Sequence, residues 1–190
     1  DKRNGWWLAA DDQPSGRSWT AASGITSGEY LKGGFHGLPS LENILTDHQP
    51  QIALILLGTN DLNKKIPVIK YLENMETFYK KCIDSGTVPV VCTIIPTTWG
   101  SKEDLKSYNE GLFTLAEKLK LPFLDLYGEF LQIRPDDTWQ ETLISKDGAH
   151  PTFKEATGPA NEENLKNCGY LLKCYLQFNK VAEIKERMKW

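Results

Sequence analysis

Several things are scarce in this chain of 190 residues, and each scarcity excludes something. There is no excess of positive charge: 22 Lys and Arg stand against 25 Asp and Glu, a formal charge of −3. A general nucleic-acid surface needs a basic excess or a strong basic stripe. The nearest candidates, Lys64-Lys65, Lys80-Lys81 and Lys102 to Lys106, read as solvated helix faces, so nucleic acid is not the expected partner. No apolar run approaches the roughly 18 to 20 residues of a membrane span. The longest, Ile52 to Leu57, is strand-sized, so no membrane partner is expected. The opening residues lack the long apolar region and small-residue site of a signal peptide, although a signal removed beforehand would leave no trace. Cysteine is limited to Cys82, Cys92, Cys168 and Cys174, with no C-x-x-C pair. That points to reduced thiols and a cytoplasmic chain rather than to zinc or disulfides. There are no repeats and no low-complexity segments. With 40% hydrophobic and 25% charged residues, the composition is that of a folded domain and not of collagen, a coiled coil or a disordered chain.

What is present is an alternation of short apolar runs with amphipathic stretches. Gly5 to Ala10, Gln51 to Leu57, Val88 to Ile95 and Pro122 to Tyr127 read as strands, and Glu29 to Lys32 as a weaker one. Leu41 to His48 reads as a short helix. Helical spacing runs through Val68, Ile69, Leu72, Met75, Phe78, Tyr79 and Ile83, with Gly86 just past the end. Ser101 and the acids after it open another helix, reaching about Lys120, and a last helix begins near Asn161. From about residue 180 a charged helical tail is expected to extend it, all within one domain spanning 1–190. Continuous apolar strands alternating with helices indicate an α/β fold with a parallel sheet covered on both faces. Ligands of such sheets bind beyond the strand C-terminal ends.

Those ends carry Asp11-Asp12, Gly33 to Gly37, Gly58-Thr59-Asn60-Asp61 and Pro96 to Gly100; Asp147-Gly148-Ala149-His150-Pro151 lies in a later loop. A His held by a carboxylate is a general base, because the carboxylate fixes its tautomer and stabilises the imidazolium. A backbone N–H at Gly37 and the amide of Asn60 suit an oxyanion hole. Taken singly, these motifs also read as turns, helix caps and positive-φ glycines. Trp19, Trp99 and Trp139 fall in loop-like stretches, where aromatics either stack on sugars and acyl groups or pack as lids.

In this order, the motifs resemble the blocks of the SGNH (GDSL-type) hydrolase superfamily over nearly the whole chain. Gly58 to Asp61 is similar to the family's Asn block, Asp147 to Pro151 to its closing Asp-x-x-His block, and Gly34 to Ser40 to its Gly block with Gly37 as the glycine. The resemblance implies a three-layer α/β/α, flavodoxin-like parallel sheet of about five strands. It also implies hydrolysis of an ester, often an acetyl ester, with no metal and no other cofactor. His150 is then the base, Asp147 its orienter, and Gly37 and Asn60 the oxyanion donors.

The departure is at the nucleophile. The family's Gly-Asp-Ser is matched by Ala10-Asp11-Asp12, with Gly16 in register, so Asp12 occupies the serine position. Ser15 and Ser18 are off register, and a nucleophile has to lie within about 3 Å of its base. A carboxylate at that position sets a negative charge where an oxyanion develops and favours an imidazolium, which cannot accept a proton. Its attack on an ester would give an anhydride. Two readings follow: an esterase scaffold for a small acyl ester, such as an acetylated carbohydrate, impaired at Asp12; or a non-catalytic binding module for a protein, small ligand or RNA. A weaker third is a hard cation held by Asp11, Asp12, Asp147 and His150. Oligomeric state is open.

Overall fold

The structure, a computed structural model, describes residues 18–154 and 158–188. The strand expected at Gly5 to Ala10 lies outside them. Three parallel strands form the described sheet, β1 (Ile52–Ile55), β2 (Val88–Cys92) and β3 (Phe123–Leu124), in the order β1-β2-β3. Ile52 aligns with Val88 and Ile55 with Val91; Val91 aligns with Phe123 and Cys92 with Leu124. The helices are α1 (Ser27–Lys32), α2 (Leu41–His48), α3 (Thr59–Asn63), α4 (Val68–Asp84), α5 (Lys102–Leu119), α6 (Leu126–Ile133), α7 (Glu162–Asn167) and α8 (Gly169–Met188).

The side-chain alternation of the strands divides the core into two. Val91 and Ile55 face one cluster with Tyr71, Met75 and Tyr79 of α4 and Leu112 of α5. Val90, Cys92 and Leu124 face the other, with Phe130 of α6 and Leu172 and Ile184 of α8. Because successive strand residues point to opposite faces, one sheet closes both cores, and the described residues form three α/β/α layers, as the resemblance implies.

The described residues hold three of the expected strands. Three expectations are corrected. Glu29–Lys32 is helical, because Thr26 accepts a hydrogen bond from the Glu29 amide while the Glu29 carboxylate accepts one from the Thr26 amide, a complete capping box. The strand expected to reach Tyr127 stops at Leu124, since Asp125 accepts from the Gly128 amide and starts α6. The last helix is two: Cys168 is extended (φ −138°, ψ 107°), and the Gly169 amide turns away to Thr152 Oγ1 at 2.9 Å. The charged tail continues α8 to Met188, with Glu183 paired to both Lys180 and Arg187.

Candidate active site

The sequence Asp147 to His150 folds into a tight turn whose donors all converge on one carboxylate. Asp147 Oδ1 accepts the backbone N–H groups of Ala149 (2.9 Å) and His150 (3.0 Å). Ser145 Oγ lies 2.9 Å from Asp147 Oδ1 and 2.9 Å from the His150 carbonyl oxygen, so its proton bridges the two ends of the turn. The second carboxylate oxygen, Oδ2, is 2.7 Å from His150 Nδ1. The amides of Ala149 and His150, then the imidazole and the Ser145 hydroxyl, hold the Asp147 carboxyl well below the usual carboxylate range. An ionised carboxylate is an acceptor only, so it places the imidazole proton on Nδ1 and leaves Nε2 as the proton acceptor. The side chain of His150 is 60% exposed, which keeps that nitrogen accessible to a reactant.

The loop after β2 clamps this turn from outside. The Thr98 amide (2.8 Å) and Thr97 Oγ1 (2.7 Å) both donate to the Gly148 carbonyl. Trp99 Nε1 donates to the Asp147 carbonyl at 2.8 Å, and the indole meets the His150 ring edge-on, with centroids 6.0 Å apart at 88°. Gly148 takes φ +77°, and a Cβ there would lie 1.8 Å from Thr98 Oγ1, so a side chain at this position would be strained and would push the Thr98 hydroxyl aside.

The same loop reaches the Asn60 region. Gly100 packs against Leu62 of α3, close enough that a Cβ would meet Leu62 Cγ at 2.6 Å. Asn60 lies in the first turn of α3, half-buried, and none of the described residues hydrogen-bonds its side-chain amide. Its neighbour Asp61 is buried and anchors α3: Asp61 Oδ2 accepts the Ser27 amide at 2.9 Å and Oδ1 accepts the Ser27 hydroxyl at 2.5 Å. Burial raises the Asp61 carboxyl above the ordinary value, against these bonds.

On the far side of α3, Lys64 stands 5.5 Å from the Phe35 ring, beside the turn that contains Gly37. Gly37 has φ +79°, and its amide donates to Gly34 O at 3.2 Å, a long bond that a carbonyl oxygen of substrate could share. An open hollow of about 430 Å³ lies beside this turn, lined by Ser18, Ala21, Ala22, Ser23, His36 and Leu38; neither Asp147 nor His150 lines it.

The contacts Phe35–Lys64, Leu62–Gly100 and Trp99–His150 link the Gly37 turn, α3 and the Asp147–His150 turn; of the candidate site residues, Asp147 and His150 touch directly. Asp11 and Asp12 lie outside the described residues, as do Ser15 and Gly16. Of the four groups weighed for a cation, Asp147 and His150 are therefore the two that the structure brings together. The three rim tryptophans separate. Trp139 is buried in the second core cluster at 5% exposure, a correction to its expected loop role. Trp19 stands 6.4 Å from His48, and Trp99 alone of the three contacts the candidate dyad. The strand-end loop Pro96 to Gly100 was visible in the sequence, but nothing in its residues shows that it grips a turn some fifty residues later, at Asp147–Gly148.

Five of the six lysines considered for nucleic acid are paired with acids: Lys64 with Glu29, Lys80 with Glu76, Lys81 with Glu42, Lys102 with Asp137 and Lys106 with Glu110. Among the described residues, no helix is long and apolar enough to cross a membrane.

Comparison with known proteins agrees with the fold. A model of the GDSL-like lipase/acylhydrolase family matches residues 2–154. An arylesterase of Vibrio mimicus is 27% identical over 145 residues, covering 74% of this chain and 68% of that protein. The psychrotrophic esterase EstA of Pseudoalteromonas sp., in a structure inhibited by monoethylphosphonate, superposes with a TM-score of 0.60 at 20% identity, covering 86% of this chain and 75% of that one. A lipase/acylhydrolase of Enterococcus faecalis gives a TM-score of 0.56 at 19% identity, covering 75% and 71%. At those identities the two structures speak to the fold alone. The family model spans most of the chain, and the chain belongs to the GDSL-like lipase/acylhydrolase family, within the SGNH hydrolase superfamily.

Proposed function

We propose that this chain is an ester hydrolase scaffold for a small acyl ester, with acetyl groups on a carbohydrate as one substrate class, and that Asp12 at the nucleophile position suppresses its turnover. The observation that carries the reading is the 2.7 Å contact between Asp147 and His150 Nδ1, on a His150 side chain that is 60% exposed. In an esterase of this design, Nε2 takes the proton of an attacking serine hydroxyl while Asp147 stabilises the imidazolium. The carbonyl oxygen of the substrate then gains negative charge, and the Gly37 amide and the Asn60 side-chain amide stabilise it by donating hydrogen bonds to it. The imidazolium next protonates the departing alcohol, and water repeats the sequence on the acyl-enzyme.

With a carboxylate at residue 12, two of these steps fail together. There is no hydroxyl proton for His150 to remove, and the added negative charge opposes the oxyanion. Direct attack by the carboxylate would form an anhydride, a poor intermediate for ester cleavage. The test is turnover of p-nitrophenyl acetate by the chain and by Asp12→Ser. The substitution is expected to raise kcat/KM by roughly a thousandfold or more, the scale on which triad nucleophiles act. No gain in a folded Asp12→Ser variant would overturn the reading.

A further inference from the structure

The imidazole of His150 is mostly open to solvent, yet a general base has to hold its geometry. Asp147 fixes one ring nitrogen but is itself an exposed turn residue, with a side chain 46% exposed. Something beyond the turn has to hold the pair in place. The only contacts to the backbone of Asp147 and Gly148 from another part of the described chain come from the loop after β2.

We infer that Trp99 is a positioning residue for His150: its indole N–H anchors the Asp147 backbone, and its ring stands against the imidazole edge-on. Four observations converge on it. Its Nε1–H reaches the Asp147 carbonyl at 2.8 Å. Its ring is set at 88° to the imidazole at 6.0 Å. Its own amide donates to Thr97 Oγ1 (3.0 Å), which in turn donates to the Gly148 carbonyl (2.7 Å), so backbone and side chain of one residue serve the same turn. The next residue, Gly100, is packed on Leu62, two residues from Asn60. The loop therefore holds His150 at a set distance from α3, which carries the amide proposed to receive the oxyanion. Acid–base chemistry and oxyanion binding act on the same carbonyl, so their separation matters as much as either group. A displacement of about 1 Å between such groups can cost on the order of a hundredfold in rate.

The inference rests on the esterase reading for its catalytic meaning, but its geometric content does not, and two measurements keep these apart. The first uses the chain with Asp12 in place. Hydrogen exchange of the Ala149 and His150 amides, both bonded to Asp147 Oδ1, is followed by NMR, together with the ¹⁵N signals that report the His150 tautomer. Trp99→Ala is expected to speed exchange at both amides at least tenfold and to mix the tautomers. Trp99→Phe, which keeps a ring and loses the N–H, is expected to fall between Trp99→Ala and the parent. The second uses the Asp12→Ser background. Trp99→Ala is expected to lower kcat on p-nitrophenyl acetate roughly 10- to 100-fold with KM changed less than threefold, and Trp99→Phe to recover part of the loss.

Exchange and tautomer within twofold of the parent in Trp99→Ala would overturn the inference whatever the turnover. An active Asp12→Ser enzyme whose kcat is indifferent to Trp99→Ala would also overturn it, while leaving the esterase reading in place. Faster exchange in Trp99→Ala with no activity in Asp12→Ser would support the anchoring and sink the esterase reading. If Trp99→Ala does not fold, Trp99→Phe decides: parent-like exchange and kcat would overturn the inference, and a loss in both would support it.

Discussion

Gly148→Ala should destabilise the protein by an amount that can be worked out from two separable causes. Gly148 has φ +77°, and an L-residue forced into the left-handed region costs about 1–2 kcal/mol. Alanine also restricts the unfolded chain, which offsets about 0.4–1 kcal/mol of that. The second cause is contact: the new Cβ would lie 1.8 Å from Thr98 Oγ1. Thr98 is exposed, so its hydroxyl can rotate away at a cost of about 1 kcal/mol. The sum is a loss of roughly 1–3 kcal/mol, a fall in Tm of about 2–10 °C for a chain of this length. Gly34→Ala is the matched comparison, since Gly34 has φ +84° with nothing within 4 Å of a Cβ. It carries the backbone strain without the collision. Urea unfolding and thermal melts of both variants should rank Gly148→Ala as the costlier, and adding Thr98→Ala should bring it back to the Gly34→Ala value. A Gly148→Ala protein as stable as the parent, or one whose loss is untouched by Thr98→Ala, would refute the described packing of the His150 turn against the β2 loop.

Two further outcomes follow from titratable groups. Burial pushes the Cys82 and Cys92 thiols up to about 12, and Cys168 is buried, whereas Cys174 is exposed. A chromogenic disulfide reagent at pH 8 should therefore label one thiol quickly in the native protein and four after denaturation; rapid labelling of Cys82 or Cys92 would contradict the packing around them. Asp147 has its carboxyl held below the ordinary value of about 3.9, so it contributes stability above that pH and loses it as pH falls toward its folded value. Asp147→Asn should lose less of its urea midpoint between pH 7 and pH 3 than the parent does, and an equal loss in both would show that the convergent hydrogen bonds on Asp147 are not formed in solution.

The legible parts of the sequence were those where a long pattern and a local stop signal agree. Helix α4 repeats its apolar spacing over four turns and ends just before Gly86, so it is found close to its expected bounds, whereas β2 begins at Val88 as expected but ends at Cys92 rather than Ile95. Glu29–Lys32 was misread because four residues are too short to separate a strand from a helical turn; the capping pair Thr26 and Glu29 was the available signal. The break at Cys168 has no such signal, since it is set by the Gly169 amide bonding to Thr152, sixteen and more residues earlier. The candidate site divides in the same way. Asp147 and His150 are three apart and meet within one turn, so their pairing could be read from the chain. The role of Trp99 could not, because the bond to the Asp147 carbonyl depends on how the sheet and its loops come together. The burial of Trp139 is likewise a matter of tertiary packing, since it sits in a stretch with no periodic pattern.

The central claim is that residue 12 occupies the position from which a nucleophile would address His150. A fluorophosphonate ester tests it directly, because it reacts with a serine activated by a neighbouring base and leaves a phosphonyl group that peptide mass spectrometry can place. In Asp12→Ser the adduct should form on residue 12 and should be abolished by adding His150→Ala. An adduct on Ser15 or Ser18 instead, or none at all in the folded Asp12→Ser protein, would contradict it.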